Sequence, residues 1–243
     1  AVATTATASE TQTGTSEAQT DTSKTQADTS EAQTDTSKVQ AGASYGISNL
    51  SGAPDIVAES AVVMDANTGT ILYGKEADTK RYPASITKVM TALLAVENCK
   101  MSDVITYSNA AVNGIEAGSS TAGINVGAKL TVEDSLYALM LVSANEAAAA
   151  IAEHISGSTT EFAKLMTKRA KELGCTNTQF KNPHGLPNEE HYTTAHDMAI
   201  IFDAALKNDV FRYVDSTAAY TIPATNKYGE RNCTSTNQLI NGA

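Results

Sequence analysis

Two short polar clusters in this sequence bring together residue types that can do chemistry. The first is Ser85-Ile86-Thr87-Lys88, at the head of the apolar run PASITKVMTALLA. A serine hydroxyl is a poor nucleophile until a nearby base takes its proton, and a lysine one helical turn along can serve if it is at least transiently neutral. The ordinary lysine pKa of about 10.4 forbids that in water. Burial, the positive end of a helix and a second cation would each push it down. The second cluster is Ser143-Ala144-Asn145, set where one helical pattern stops and the next begins, a place where a short loop can aim polar side chains outward. Each cluster also has an ordinary structural reading. Ser85 can be a helix cap with Lys88 snorkelling to solvent, and Ser143 or Asn145 can cap the helix that follows. A further Ser-x-Asn at Ser235-Thr236-Asn237 shows how cheaply such a tripeptide arises.

The elements that must hold these residues are legible from periodicity. Ile86, Val89, Met90, Leu93 and Leu94 recur at the spacing of one apolar helix face, which predicts a core helix carrying Ser85 and Lys88 on its first turn. Ahead of it, ESAVVMDANTGTILYGK (59–75) reads as two β-branched runs around Asn67-Thr68-Gly69, a hairpin with Gly69 supplying a positive φ. Thr131 and Asp134 form the pattern of a capping box before Leu136, Leu139 and Met140, and SANEAAAAIAEHI restarts a helix at 143–155. Ser158 with Glu161 opens another, with Phe162, Leu165, Met166 and Leu173 inward and Gly174 at its end, and Thr194 with Asp197 caps HDMAIIFDAAL. AAYTIPA near 218–224 is the one later strand candidate. A sheet of two strands is marginal, so the hairpin is expected to lack sheet partners.

The folded unit is expected to span 46–243. Residues 1–45 are almost all Ala, Thr, Ser, Gln, Asp and Glu, with Val2 and Val39 the only larger aliphatics before Tyr45. Nothing there offsets the entropy of ordering a backbone, so the reading is a disordered tail. SEAQTDTSK occurs in it at 16–24 and again at 30–38, a 14-residue repeat without an apolar stripe. The formal net charge of −10 comes without a basic stripe, which argues against a nucleic-acid partner. Cys99, Cys175 and Cys233 are too few and too scattered for a metal site or disulfide framework. No run approaches the length of a membrane span, and the chain starts without methionine or signal peptide, so membrane attachment is not encoded in it and a processed or cut chain is expected. A polar Thr/Ser/Ala-rich stalk ahead of a folded unit suggests a site outside the cytoplasm.

The ordered set of a hairpin, Ser85-x-x-Lys88 at a helix start and Ser-Ala-Asn between two helices 58 residues later resembles the penicillin-binding D-alanyl-D-alanine carboxypeptidases, low-molecular-weight serine peptidases of bacterial cell walls. The resemblance runs from about Ala53 to the end. FKNPHGLPNEEHYTTAHDMAII (180–201) is similar to the family's connecting segment, and IPATNKYGERNCTSTNQLI to the approach to its third motif. It implies an α+β, β-lactamase/penicillin-binding transpeptidase-like fold: a helical cluster with an antiparallel sheet, incomplete here. It implies a serine acyl transfer without cofactor or metal. Ser85 would be the nucleophile, with its backbone N–H as one oxyanion donor, and Lys88 the base. Ser143 would relay a proton to the leaving amine, and Asn145 would hold Lys88 and the substrate amide by hydrogen bonds. The partners implied are peptidoglycan stem peptides ending in D-Ala-D-Ala and β-lactam antibiotics. His184 and His191 fall in the connecting segment and are read as structural, as are His154 and His196 within helices.

The family's third motif, Lys-Thr/Ser-Gly on an edge strand, does not occur in the sequence, and Lys227-Tyr228-Gly229 is a decoy in a turn. The expectation is a chain cut before that motif, with Val62 and Ile71 short of cover, unstable or aggregating by itself, and inactive or unable to react with penicillin at a useful rate. Two other readings stay open. A class A β-lactamase shares Ser-x-x-Lys but needs a carboxylate for deacylation, and Glu189 and Glu190 do not stand in its Glu-x-x-Leu-Asn pattern. A non-catalytic cell-wall-binding or sensor domain would bind peptidoglycan without reacting with penicillin.

Overall fold

Asp65 shapes the first turn of the molecule. Its Oδ1 accepts from the backbone N–H groups of Asn67 and Thr68, and Gly69 closes the turn at φ +71°. The flanking runs pair antiparallel as β1 (Ala61–Met64) and β2 (Ile71–Lys75), Val62 opposite Gly74 and Val63 opposite Tyr73, with an irregularity between Val63 and Met64. The computed structural model describes residues 56–240, so the predicted tail and its repeat lie outside the described residues.

After the hairpin, a 3-10 turn at Ala84–Thr87 leads into α1 (Lys88–Asn98). Then come β3 (Val104–Thr106), α2 (Asn109–Asn113) and β4 (Lys129–Thr131), with β3 and β4 antiparallel. Helix α3 (Val132–Leu141) starts on the predicted capping box: Thr131 accepts from the Asp134 N–H, and the Asp134 carboxylate accepts from the Thr131 N–H. Helices α4 (Asn145–Ser156) and α5 (Thr159–Glu172) follow, the latter capped by Ser158. Thr194 caps α6 (Ala195–Leu206) and Asn208 caps α7 (Asp209–Asp215). The last pair, β5 (Ala219–Ile222) and β6 (Arg231–Thr234), is antiparallel and encloses the Lys227-Tyr228-Gly229 turn.

Helix α1 is the hub and packs against α3, α4, α5, α6 and α7. Met90, Leu93 and Leu94 are fully buried in the main core with Leu136, Leu139, Phe162 and Met166. The run Ala147–Ala152 on α4 is buried on every side, with only Ile151 larger than alanine, which lets α4 lie close to α1 and α3. No helix among the described residues is long and apolar enough to cross a membrane.

Two expectations need correction. Ile86, assigned to the buried face, is 50% exposed. It sits on the 3-10 turn, where each residue advances about 120° instead of about 100°, so the register of the α-helical face does not extend back to it. The single antiparallel sheet expected from one hairpin is, among the described residues, three separate two-stranded sheets. Strands β3, β4 and β6 are three or four residues long, too short for a period of two to stand out in the sequence.

Candidate active site

The 3-10 turn explains how Ser85 and Lys88 meet. Side chains at i and i+3 eclipse in this geometry. Lys88 Nζ accordingly donates to Ser85 Oγ at 3.1 Å. Ser85 is exposed and makes no capping hydrogen bond, and Lys88 is 3% exposed, so neither the cap nor the snorkelling lysine describes this pair. The second acceptor for Lys88 Nζ is the carbonyl of His184, at 2.8 Å. Burial lowers the Lys88 pKa to about 8, and the negative charge of Glu146 opposes part of that shift. At that value about one lysine in ten is neutral at pH 7.

The segment 180–193 forms the back wall. Thr91 Oγ1 donates to the Pro183 carbonyl at 2.6 Å, and Thr87 Oγ1 lies 2.9 Å from His191 Nε2. Asn182 Oδ1 accepts from the backbone N–H groups of His184 and Gly185, fixing the bend that points the His184 carbonyl at Lys88. Gly185, at φ +87°, lies so close to the 3-10 turn that a Cβ there would stand 1.8 Å from the Ala84 carbonyl oxygen.

Both histidines of this wall are neutral. Burial, with Lys88 and His191 adding to it, brings His184 down to about 4, and burial brings His191 to about 4. The Nδ1 atoms accept backbone N–H groups, from Leu186 for His184 and from Lys181 for His191, so neither has room for a second ring proton. The neutral His191 ring therefore donates from Nε2 to Thr87 Oγ1. A stability profile follows. Unfolded, each ring titrates near the usual value of about 6.5, so between there and about pH 4 the unfolded chain binds more protons. Stability is fully present above pH 6.5 and falls as the pH drops, by on the order of 3 kcal/mol for the buried His191. Urea denaturation along this range is expected to show the loss, and His191→Gln should make it shallower, leaving the part due to His184. An equally steep profile in that variant would assign the loss to His184 and to carboxylates.

Ser143 and Asn145 sit in the sharp break between α3 and α4. Ser143 takes φ +57°, Ala144 is extended, and α4 has no side-chain cap. Ser143 Oγ and Asn145 Oδ1 are buried oxygens with no hydrogen-bond partner among the described residues. Capping therefore does not explain either residue, and two buried oxygens without a protein partner so close together call for another role. The hydrogen bond expected between Asn145 and Lys88 is not formed: Asn145 Oδ1 is unpaired while Lys88 is held by Ser85 and His184. Helix α4 packs on α1, and the charge of Glu146 acts on Lys88, so the head of α4 faces the same end of α1.

Sequence reasoning missed Thr87, Thr91, Gly185, the His184 carbonyl and Glu146. The Asn-Pro-His-Gly turn chemistry was visible as a local signal, but nothing local says what the turn abuts. A groove lined by Arg81, Tyr82, Ile86, Met198 and Phe202 runs beside this site, and its lining includes none of Ser85, Lys88, Ser143 and Asn145. Lys227 lies in the β5–β6 turn, where Asn226 ties it to Gly127 and Lys129.

The family model described as D-alanyl-D-alanine carboxypeptidase matches residues 48–242. The chain belongs to this family. A D-alanyl-D-alanine carboxypeptidase of Streptomyces sp. (strain K15) is 36% identical over 198 residues, covering 78% of this chain and 68% of the relative. The solved structure named Streptomyces K15 DD-transpeptidase superposes with a TM-score of 0.72 at 36% identity, covering 77% of this chain and 76% of that one. The α+β penicillin-binding fold is thereby that of this chain. D-alanyl-D-alanine carboxypeptidase DacF of Bacillus subtilis is 44% identical over 155 residues, covering 62% of this chain and 39% of the relative. The chain thus spans about two-fifths of the length of that relative.

Proposed function

We propose that this chain carries the acylating site of a serine-type D-Ala-D-Ala carboxypeptidase, with Ser85 as nucleophile and Lys88 as its base. The observation that carries the reading is the buried Lys88 amine, 3.1 Å from the Ser85 hydroxyl and brought to a pKa of about 8. Neutral Lys88 takes the Ser85 proton as Oγ attacks the carbonyl carbon between the two D-alanines. The negative charge passes to the carbonyl oxygen, toward which the Ser85 backbone N–H is one donor. Collapse breaks the C–N bond, and the proton on Lys88 returns to the leaving D-alanine amine through Ser143. Asn145, with its free Oδ1, would accept from the substrate amide N–H. Water then hydrolyses the acyl-serine. A penicillin opens by the same attack, but its leaving nitrogen stays tethered, so the adduct persists.

This reading places the protein in the cell envelope or outside the cell, where peptidoglycan stem peptides are, and connects it with cell-wall synthesis and cell shape. The family model's match to 48–242 supports a folded unit of 46–243. A second acceptor is favoured by the printed name of the Streptomyces K15 neighbour, a transpeptidase: an amine in place of water would make a new peptide bond.

The test is release of D-alanine from an N-acylated L-Lys-D-Ala-D-Ala peptide, with and without glycine as amine acceptor, alongside the lifetime of the penicillin adduct by intact mass. D-alanine release with a long-lived adduct is expected of the protein extended through a Lys-Thr/Ser-Gly motif, and slower reaction of residues 1–243 alone. Rapid turnover of penicillin would indicate a β-lactamase, and binding to peptidoglycan with neither reaction would indicate a non-catalytic module.

A further inference from the structure

Glu146 is the acidic residue that the chemistry above does not use, and it is almost wholly inside the protein, at 2% exposed. It follows Asn145 directly in the first turn of α4. Its Oε1 gathers three donors from one turn of chain: Thr121 Oγ1 at 2.6 Å, the Ala122 N–H at 2.8 Å and the Ile124 N–H at 3.3 Å. The Asn145 N–H adds a fourth tie, to the Ser120 carbonyl at 3.0 Å. From the other side, Arg231 on β6 donates to the Ala122 carbonyl at 2.6 Å. It also lies close enough to Gly123, at φ +69°, that a Cβ there would meet Arg231 Nη1 at 2.8 Å. Glu146 Oε2 is buried with no hydrogen-bond partner among the described residues. Burying a carboxylate this deeply is costly, and three hydrogen bonds to a single oxygen leave the other oxygen, and the charge, uncompensated by local contacts.

We propose that Glu146 is a positioning residue of the Ser85–Lys88 site, locking the 120–124 turn onto the head of α4, where that helix packs on α1, and placing a buried negative charge at the end of α4 that neighbours Lys88. The proposal rests on reading Ser85 and Lys88 as the acylating pair, and it adds a control on the base. Burial alone drives the Lys88 amine toward the neutral form, and Glu146 is the anion that acts against it. Carried too far, that neutralisation would leave an amine too weak to take a serine proton. The other titratable groups around the two residues do not replace it. His184 and His191, on the 180–193 wall, are held neutral. Tyr107, ahead of α2, and Tyr228 and Cys233, beside Arg231, are all shifted upward by burial and stay protonated at neutral pH. Arg231 is a cation, stacked on the Tyr228 ring at 3.7 Å.

Glu146→Gln separates the two parts of the role. The amide keeps a carbonyl oxygen for Thr121, Ala122 and Ile124 and removes the charge. In the full chain carrying ¹³C-labelled lysine, with Lys88→Met to assign the resonance, the Lys88 midpoint is expected below the wild-type value of about 8. The pH dependence of penicillin acylation should move down by the same shift. Glu146→Asp keeps the charge but withdraws it from the three donors, so it acts from a spread of positions. It is expected to lower the midpoint by less, and it serves if the Gln variant does not fold. A Lys88 midpoint unchanged from wild type in whichever variant folds overturns the proposal, even if acylation has slowed, because a purely structural role would leave the titration in place. Wild-type protein that fails to acylate would instead remove the reading of Ser85, while the lysine titration still decides whether Glu146 acts on Lys88.

Discussion

Ser85→Ala is expected to eliminate the penicillin adduct and to lower D-alanine release by on the order of 10,000-fold or more, the scale on which a nucleophile's removal acts. Ser85 is the one serine found 3.1 Å from a buried lysine amine, and no other described hydroxyl has such a base. Lys88→Arg should be as damaging although it preserves the positive charge. A guanidinium does not deprotonate in this range, and its planar fork cannot replace an ammonium that bonds Ser85 Oγ and the His184 carbonyl at once. In wild type the acylation rate should climb with pH through the Lys88 value of about 8 and level off above it. Peptide mapping after penicillin treatment reads all three expectations. An adduct that survives Ser85→Ala, or labelling at the wild-type rate in Lys88→Arg, would mean that the pair is structural.

Gly185→Ala is the second large effect, and it strikes the site from outside. A methyl group there would sit 1.8 Å from the Ala84 carbonyl oxygen and 2.3 Å from its carbon, both backbone atoms with nowhere simple to go. It would also be held at φ +87°, which side chains rarely adopt. Either the 84–87 turn or the 183–185 bend must move, and each carries one half of the hydrogen bond that fixes Lys88. Acylation should fall by on the order of 100-fold, the cost of misplacing a reacting group by about 1 Å, together with a lowered thermal midpoint. Gly174→Ala is the control. At φ +96° it has the same backbone problem, but nothing lies within 4 Å of the added methyl, so it should lose about 1–3 kcal/mol of stability and keep its labelling rate. Equal labelling by the two variants would show that the close approach at Gly185 has no bearing on the site.

The family resemblance and the order of elements were legible because the signals behind them are local. A capping box links residues three apart, the Asn67-Thr68-Gly69 turn supplies its own positive φ, and the apolar stripe of α1 needs only a 3.6-residue period. Each is settled by the backbone's need to satisfy its own hydrogen bonds within a few residues. The 3-10 character of 84–87 was not legible, and with it went the placement of Ile86. Nor were β3, β4 and β6, whose pairing comes from partners 9 to 27 residues away and not from their own short runs.

The sequence by itself determined that Ser85 and Lys88 share a turn and that Ser143 and Asn145 occupy a break between helices, since three-residue spacings and helix ends are properties of the local chain. How those residues are surrounded was decided by tertiary structure. The Lys88 amine is buried, with a pKa of about 8, because residues 96 positions later close over it with the His184 carbonyl, while the charge of Glu146 offsets part of the effect of burial. Ser143 Oγ and Asn145 Oδ1 are left unpaired because the α3–α4 break is held by backbone bonds to Ser120 and Ala138 in place of side-chain caps. Proton affinity depends on the burial and charge around an atom, and both are fixed by which distant segments fold against it.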